Sequence, residues 1–434
     1  MPVSNITASE DNKTPLPQRL PGAMAFFVQK QIIILMKETE HSQIMKKERN
    51  HRLDAKVNSE RKRNCMISIS TQRSFIMGIA ILWIVWFHTD LSYQIPLLSF
   101  LRETGYGGVD LFFLLSGVGA WFSLQKNPDA ASYLKRRAMR ILPSYYPFII
   151  AWLLMMKITG ELYGTEIIGN LTMLGWWAQG RNQFNWYVDA IWLFYLLAPV
   201  FVGVIAKACK KERTVVLLMA AGFLASATFF HSLLLTAFSR LPVFVLGVFL
   251  GSVIMRTMQE MEAEKCVSVQ ETQDEKTEIK NSGKGVGASW VKKHLFDHNN
   301  VIWNILMLAG FAILYLCLTK LSGYMWTYGL WWYPFVMIAP GLALDLGCLA
   351  QWLQKSKAGN ILRRGINAAG EASFEIFLWH IGLFEYVKPR LKMNGIRWLI
   401  LAATAILIGI AYRKLIEKAV SLPGKRIGND LGKI

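Results

Sequence analysis

Apolar residues recur along this chain in long runs that are separated by short polar segments. Because about 20 helical residues cross the hydrocarbon core of a bilayer, runs of this length predict membrane-spanning helices. About ten such runs are present: 75–93, 107–124, 141–157, 186–206, 214–231, 238–255, 301–319, 326–350, 373–387 and 396–415. The pattern predicts an all-α fold, namely a polytopic integral membrane bundle of about ten transmembrane helices.

The remaining segments are polar and lack this pattern. Residues 1–65 are predicted to form a polar, poorly ordered N-terminal extension to a membrane domain at 66–420. Within that domain, 256–300 mixes charges with Gly and Ser and has no apolar period, which favours a cytoplasmic, partly disordered loop. Residues 421–434 are predicted to be a cytoplasmic tail.

The net charge of +19 first suggests a nucleic-acid-binding protein. The basic residues lie instead in short segments between predicted spans, a distribution typical of the cytoplasmic side of membrane proteins. If ten spans alternate, both termini are cytoplasmic, and loops 94–106 and 158–185 lie on the other side. The segment with Lys388, Arg390 and Lys392 departs from this rule. The chain is therefore expected to bind a lipid bilayer and no nucleic acid.

The cysteines carry no recognisable framework. Five are present, without a CxxC pair or a Cys/His spacing suited to a metal. Neither a disulfide framework nor a metal site is predicted.

The stretch GIAILWIVWFHTDLS, residues 78–92, ends the first apolar run on a histidine. An ionisable residue inside a membrane span is a functional candidate by default. Asp110 and Asp189 begin the second and fourth spans, at a depth similar to that of His88. An imidazole oriented by a carboxylate is suited to general-base catalysis. The alternative is that these aspartates only stabilise helix N-termini.

Five segments, in this order, carry a resemblance to a known family: GIAILWIVWFH, GGVDLFFLLSG, YLKRRAMRILPSYY, NWYVDAIWLFYLLAP and SFEIFLWH. Together they resemble acyltransferase family 3, the integral membrane O-acyltransferases of bacterial cell surfaces. The similarity extends over about residues 74–415. It implies transfer of an acyl group, usually acetyl, from cytoplasmic acyl-CoA to a cell-surface saccharide or related acceptor. It also implies a bacterial cytoplasmic membrane location.

The resemblance assigns roles to particular residues. It makes His88 catalytic, and Asp110 is the candidate that orients the imidazole. Its RxxR motif falls on Arg137 and Arg140, whose guanidinium groups would bind the phosphates of acyl-CoA, the donor substrate. No permanently bound cofactor and no metal are implied.

One position departs from the family pattern. Many members carry Arg or Lys eleven residues before the histidine, where this chain has Met77. The nearest substitute is Arg73, one turn earlier. Met77 keeps a non-catalytic derivative of the family open. The buried His and Asp residues leave a further class open, a transporter or flippase with a His/Asp proton relay.

Overall fold

The computed structural model describes residues 65–178, 186–274 and 300–421. Their regular secondary structure is helical, with two short 3₁₀ turns and no strand in these ranges. The helices are α1 (Cys65–Thr71), α2 (Arg73–Phe87), α3 (Pro96–Glu103), α4 (Gly108–Lys126), α5 (Ala130–Thr159), α6 (Gly164–Thr172), α7 (Trp186–Lys207), α8 (Lys211–Ala227), α9 (Leu235–Phe238), α10 (Leu241–Asp274), α11 (Asn300–Lys320), α12 (Phe335–Leu353), α13 (Lys357–Glu371), α14 (Ser373–Val387) and α15 (Gly395–Ser421).

The helices confirm the predicted fold class, and the number of spans depends on helix length. Seven segments of the described chain are long and apolar enough to cross a membrane. An eighth is the pair α1 and α2, bent by 73° at Gln72. The other two predicted runs coincide with α8 and α14, which have 17 and 15 residues. All ten predicted apolar runs thus overlap helices of this membrane bundle.

Helix α10 corrects one boundary. The segment 256–300 was expected to be a loop, but α10 continues as helix to Asp274. Charged side chains with good helix propensity allow a helix to extend beyond an apolar run. Residues 275–299, and the predicted extension and tail at 1–64 and 422–434, lie outside the described residues.

Helix α4 lies at the centre of the bundle and is buried around most of its circumference. It packs against α10, where a Cβ added at Gly117 would collide with the backbone of Phe244 and Val248. The small residue therefore allows the two helix backbones to approach closely. Helix α2 packs on α4, α13 and α14.

The cysteines contradict the sequence-based expectation. Cys65 on α1 and Cys348 on α12 form a disulfide, with Cα atoms 5.6 Å apart. The prediction was wrong because the two residues are 283 positions apart and share no local motif. Only the packing of α1 against α12 brings them together.

Candidate active site

His88 lies at the C-terminal end of α2, in the C-cap position. It is half-buried, and its Nδ1 atom lies 2.9 Å from the carbonyl oxygen of Ile84. The same carbonyl also accepts the backbone N–H of His88 at 3.2 Å, so one oxygen near the helix end holds both the backbone and the ring of this residue. A carbonyl oxygen only accepts hydrogen bonds, so Nδ1 carries the proton in the neutral ring. Nε2 is then the atom with the free lone pair.

His380 provides the second imidazole of this site. It is fully buried on α14, and its ring centroid lies 5.0 Å from that of His88, edge to face. We name His88 and His380 the histidine pair. Its position in the sequence, within the apolar run of α14, does not show which helix it faces. At the same end of these helices, Lys388 forms an exposed ion pair with Asp90 at 2.6 Å.

Asp110 is paired with a residue that sequence reasoning missed. Its Oδ1 atom lies 3.4 Å from Nε of Arg240, and both side chains are buried. The Arg240 guanidinium also packs between the rings of Trp186 and Trp332, at 4.9 and 5.1 Å. Among the described residues, neither a hydrogen bond nor an ion pair joins Asp110 to His88. The Ile84 carbonyl, rather than a carboxylate, fixes the orientation of the His88 ring.

Asp189, the other carboxylate expected at this depth, also binds elsewhere. Its Oδ2 atom accepts a hydrogen bond from the backbone amide of Trp176 at 3.0 Å. It borders an apolar cavity of about 670 Å³ that Trp177, Trp192 and Phe238 also line. Asp189 therefore stabilises the turn before α7. Although the sequence places it at a depth similar to that of His88, its carboxylate binds the Trp176 amide instead.

A cavity at the other end of α2 collects basic residues. Its charged lining residues are Arg73, Arg140, Glu371 and Arg413, and we name it the arginine cavity. Met77 also lines it, one turn from Arg73. Met77, at the position where the family pattern has a basic residue, thus lines the same cavity as Arg73, the nearest substitute.

Arg137 lies beside this cavity and is held by aromatic rings. Its guanidinium carbon is 5.1 Å from the ring centroid of Tyr133 and 5.0 Å from that of Tyr195. A Cβ added at Gly119 would lie 2.9 Å from Nη1 of Arg73 and 3.4 Å from Nη2 of Arg137. The glycine therefore leaves room for two guanidinium groups against α4.

The start of α5 positions its two motif arginines. Asp129 caps this helix by accepting a hydrogen bond from the Ser132 amide at 2.7 Å. Hydrogen bonds from Ser132 hold the pKa of Asp129 below its usual value, so it is ionised at neutral pH. The cap fixes where the helix begins, and Arg137 and Arg140 follow about two and three turns later.

Arg413 on α15 is a further basic residue that the motifs did not indicate. It lies 3.4 Å from Oε1 of Glu375, which is fully buried and also accepts a hydrogen bond from Ser144. A basic residue near the end of a span usually serves only to orient the helix in the membrane. Arg413 also pairs with Glu417 at 2.6 Å, so four arginines at this end face three carboxylates, Glu371, Glu375 and Glu417. The excess positive charge favours an anionic ligand.

Phe377 connects the two regions. It lines the arginine cavity, and its ring centroid lies 5.5 Å from that of His380. The cavity, of about 40 Å³, therefore reaches the ring of Phe377, whose other neighbour is His380. Helix α14 supplies Glu375, Phe377 and His380 within two turns, which explains why one short motif serves both regions.

Comparison with known proteins identifies the family. A family model described as an acyltransferase domain matches residues 76–413. The chain belongs to acyltransferase family 3. It is thus a membrane acyltransferase that transfers groups other than aminoacyl groups. The match includes both histidines and the RxxR motif, whereas Arg73 lies three residues before it. No curated protein and no solved structure matches the chain.

Proposed function

We propose that this family 3 acyltransferase transfers an acyl group, most simply acetyl, from acyl-CoA to a hydroxyl of a cell-surface saccharide or related acceptor. The observation that carries the proposal is the arrangement along α2. An arginine-lined cavity begins at one end, and a histidine with a free Nε2 lone pair lies at the other. A donor bound by its phosphates at the arginines would direct its thioester toward the histidine.

The arginine cavity is suited to the donor. Phosphates bind guanidinium groups through charge-assisted and often bidentate hydrogen bonds. Arg73, Arg140 and Arg413 line the cavity and supply such donors, while Tyr187 and Tyr195 line its walls. Arg137 contributes positive charge from beside it.

The distances fit a donor that lies along the helix. His88 follows Arg73 by 15 residues, or about 22 Å at 1.5 Å per residue. The arm of CoA from its inner phosphate to its sulfur has about thirteen bonds and spans about 16 Å when extended. The remaining distance, about 6 Å, is of the order of one arginine side chain.

The proposed chemistry uses His88 as general base. Nε2 takes the proton of the acceptor hydroxyl while the acceptor oxygen bonds to the thioester carbon. The carbon–sulfur bond then breaks, its electron pair goes to sulfur, and the thiolate takes the proton back from His88. The Ile84 carbonyl holds the Nδ1 proton throughout, so the ring keeps one orientation.

We further propose that the protein lies in a bacterial cytoplasmic membrane with both termini and the arginine cavity on the cytoplasmic side. The distribution of basic residues supports this orientation. In a variant with Cys209 and Cys266 replaced by Ser, an impermeant maleimide should label Thr165→Cys in intact cells with a permeabilised outer barrier. Ala131→Cys should react only after the cytoplasmic membrane is opened. Both positions are exposed, so equal labelling would contradict the orientation.

The function is tested with membranes that contain the protein. Thiol release from acetyl-CoA should depend on added cell-surface glycan, and mass analysis of that glycan should show one added acetyl group. Membranes with His88→Ala provide the inactive control. Glycans that carry no additional acyl group in cells expressing the protein would contradict the proposed acceptor.

A further inference from the structure

His380 is a buried histidine to which the proposed chemistry gives no role. It is 0% exposed on α14 and packs against His88 and the rings of Phe377 and Phe384. His88 is half-buried and accessible to a substrate. His380 is not, so any effect of its ring on the reaction must pass through His88.

The hydrogen bonds of His380 determine where its proton lies. Nδ1 is 3.0 Å from the carbonyl oxygen of Ile376, one turn back on the same helix. Because a carbonyl oxygen only accepts, Nδ1 carries the proton in the neutral ring and Nε2 carries the lone pair. Among the described residues, this buried Nε2 has no hydrogen-bond partner. An unsatisfied buried acceptor destabilises the folded protein, so its presence calls for an explanation.

The two rings share the same protonation pattern. In each, Nδ1 donates to the carbonyl four residues earlier and Nε2 is unprotonated. His88 gains a proton when it acts as base, and its ring then becomes cationic in a largely apolar region. The usual stabilising carboxylate is missing, because Asp110 is engaged by Arg240. The side chain in contact with His88 that still has a free acceptor atom is His380.

We propose that His380 is a positioning residue for His88. Its neutral ring and the Nε2 lone pair stabilise the charge of the His88 imidazolium through the edge-to-face contact of the two rings. The Nδ1–H of His88, which a carboxylate would hold in a catalytic triad, stays bound to the Ile84 carbonyl. This inference rests on the proposed role of His88 as general base. His380 stays neutral, and the proton moves only from the acceptor hydroxyl to His88 and then to the thiolate.

The competing explanation is that His380 only maintains structure. In that view its Nδ1–H bond to Ile376 and its packing between aromatic rings are sufficient. The two explanations assign importance to different ring nitrogens. Two amide side chains distinguish them, since the amide of Asn lies near the position of Nδ1 and that of Gln reaches the position of Nε2.

The experiment compares His380→Gln, His380→Asn and His380→Phe in membranes supplied with acetyl-CoA and cell-surface glycan. We expect kcat to fall about tenfold to hundredfold in the Asn and Phe variants, because the His88 imidazolium loses the polar acceptor beside it. The Gln variant should stay within about threefold of wild type, because its oxygen replaces the Nε2 acceptor. KM for acetyl-CoA should not change, because the donor phosphates bind elsewhere. Phe384→Leu, which alters packing on His380 but no hydrogen bond, serves as the matched control.

Any other order of activities overturns the proposal. Retained activity in Asn with loss in Gln would show a structural role through Nδ1. Equal loss in Gln and Phe, or no loss in any variant, would show that Nε2 does not matter. His88→Ala separates this result from the proposed function. If His88→Ala is as active as wild type, the general-base assignment itself fails. If it is inactive while His380→Phe is normal, only the present inference fails.

Discussion

At one end of α2, His88 contacts the imidazole of His380 and is held by a backbone carbonyl. At the other end, Arg73 opens onto a cavity that also receives Arg140 and Arg413. The histidine end has few charges in contact with the ring and a free lone pair. The arginine end has more positive than negative groups and several aromatic walls.

This difference separates proton transfer from donor binding. A general base acts in the transition state, so its loss lowers kcat. A group that binds the phosphates of the donor holds substrate and transition state equally, so its loss raises KM. Mutations at the two ends should therefore give opposite kinetic signatures, although the same helix carries both.

The largest effect is expected from His88→Ala. Loss of a general base lowers kcat by about 10²–10⁴, while KM for acetyl-CoA should stay near that of wild type. His231→Asn is the matched control, because His231 is exposed with φ of 66°, which Asn tolerates. Steady-state kinetics and protein yield in membranes provide the measurement. Full turnover in His88→Ala would remove the distinction between the two ends.

Asp110→Asn should act on stability rather than on chemistry. It leaves Arg240 buried without its counter-charge, which costs about 3–5 kcal/mol when one partner of a buried pair is removed. The melting temperature in detergent should fall, and activity per folded molecule should fall less than in His88→Ala. Adding Arg240→Met should recover stability, because no buried charge then remains. A normally stable Asp110→Asn protein with the kcat of His88→Ala would show that Asp110 belongs to the histidine end.

Arg140→Ala tests whether the arginine end binds the donor. Loss of a charged hydrogen bond, about 1.5–3 kcal/mol, predicts a KM for acetyl-CoA raised about tenfold to hundredfold with little change in kcat. Arg136→Ala is the matched control on the same helix, since Arg136 binds Ser123 at 3.0 Å rather than lining the cavity. Donor saturation curves measure both. Equal effects of the two substitutions would indicate that charge near the membrane, and not the cavity, determines donor affinity.

The smallest effect is expected from Arg73→Ala. This side chain lies one turn, about 5.4 Å, from the family position, so its interaction with a phosphate is weaker and KM should rise only about threefold to fivefold. Met77→Arg in the same protein should recover most of this loss, because both positions line the cavity. Met77→Leu is the volume control. Unchanged donor saturation in Arg73→Ala would assign Arg73 to membrane anchoring.

Sequence reasoning succeeded where the signal is local. The apolar runs predicted helices, because hydrocarbon requires every backbone group to be bonded within its own segment. The RxxR spacing placed Arg137 and Arg140 about one turn apart at the same end of α5. It did not show that Tyr133 and Tyr195 hold Arg137, since Tyr195 lies on α7.

It was less successful for partners that lie far apart in sequence. Asp110 was expected to face His88 because both lie at a similar depth, but depth does not specify which side of a helix faces which neighbour. Its partner Arg240 is 130 residues away, beside the start of α10. Arg413 and Glu375 likewise meet only because α14 packs against α15.

The sequence by itself determined the helices, the membrane environment, the family and His88 as the principal candidate, since each follows from composition or from short ordered motifs. The tertiary structure decided the pairings: His88 with His380, Asp110 with Arg240, and Arg413 with Glu375. Hydrophobic burial in a membrane fixes how long a helix is but leaves its rotation about its axis nearly free. Packing against neighbouring helices fixes that rotation, and with it which side chains meet.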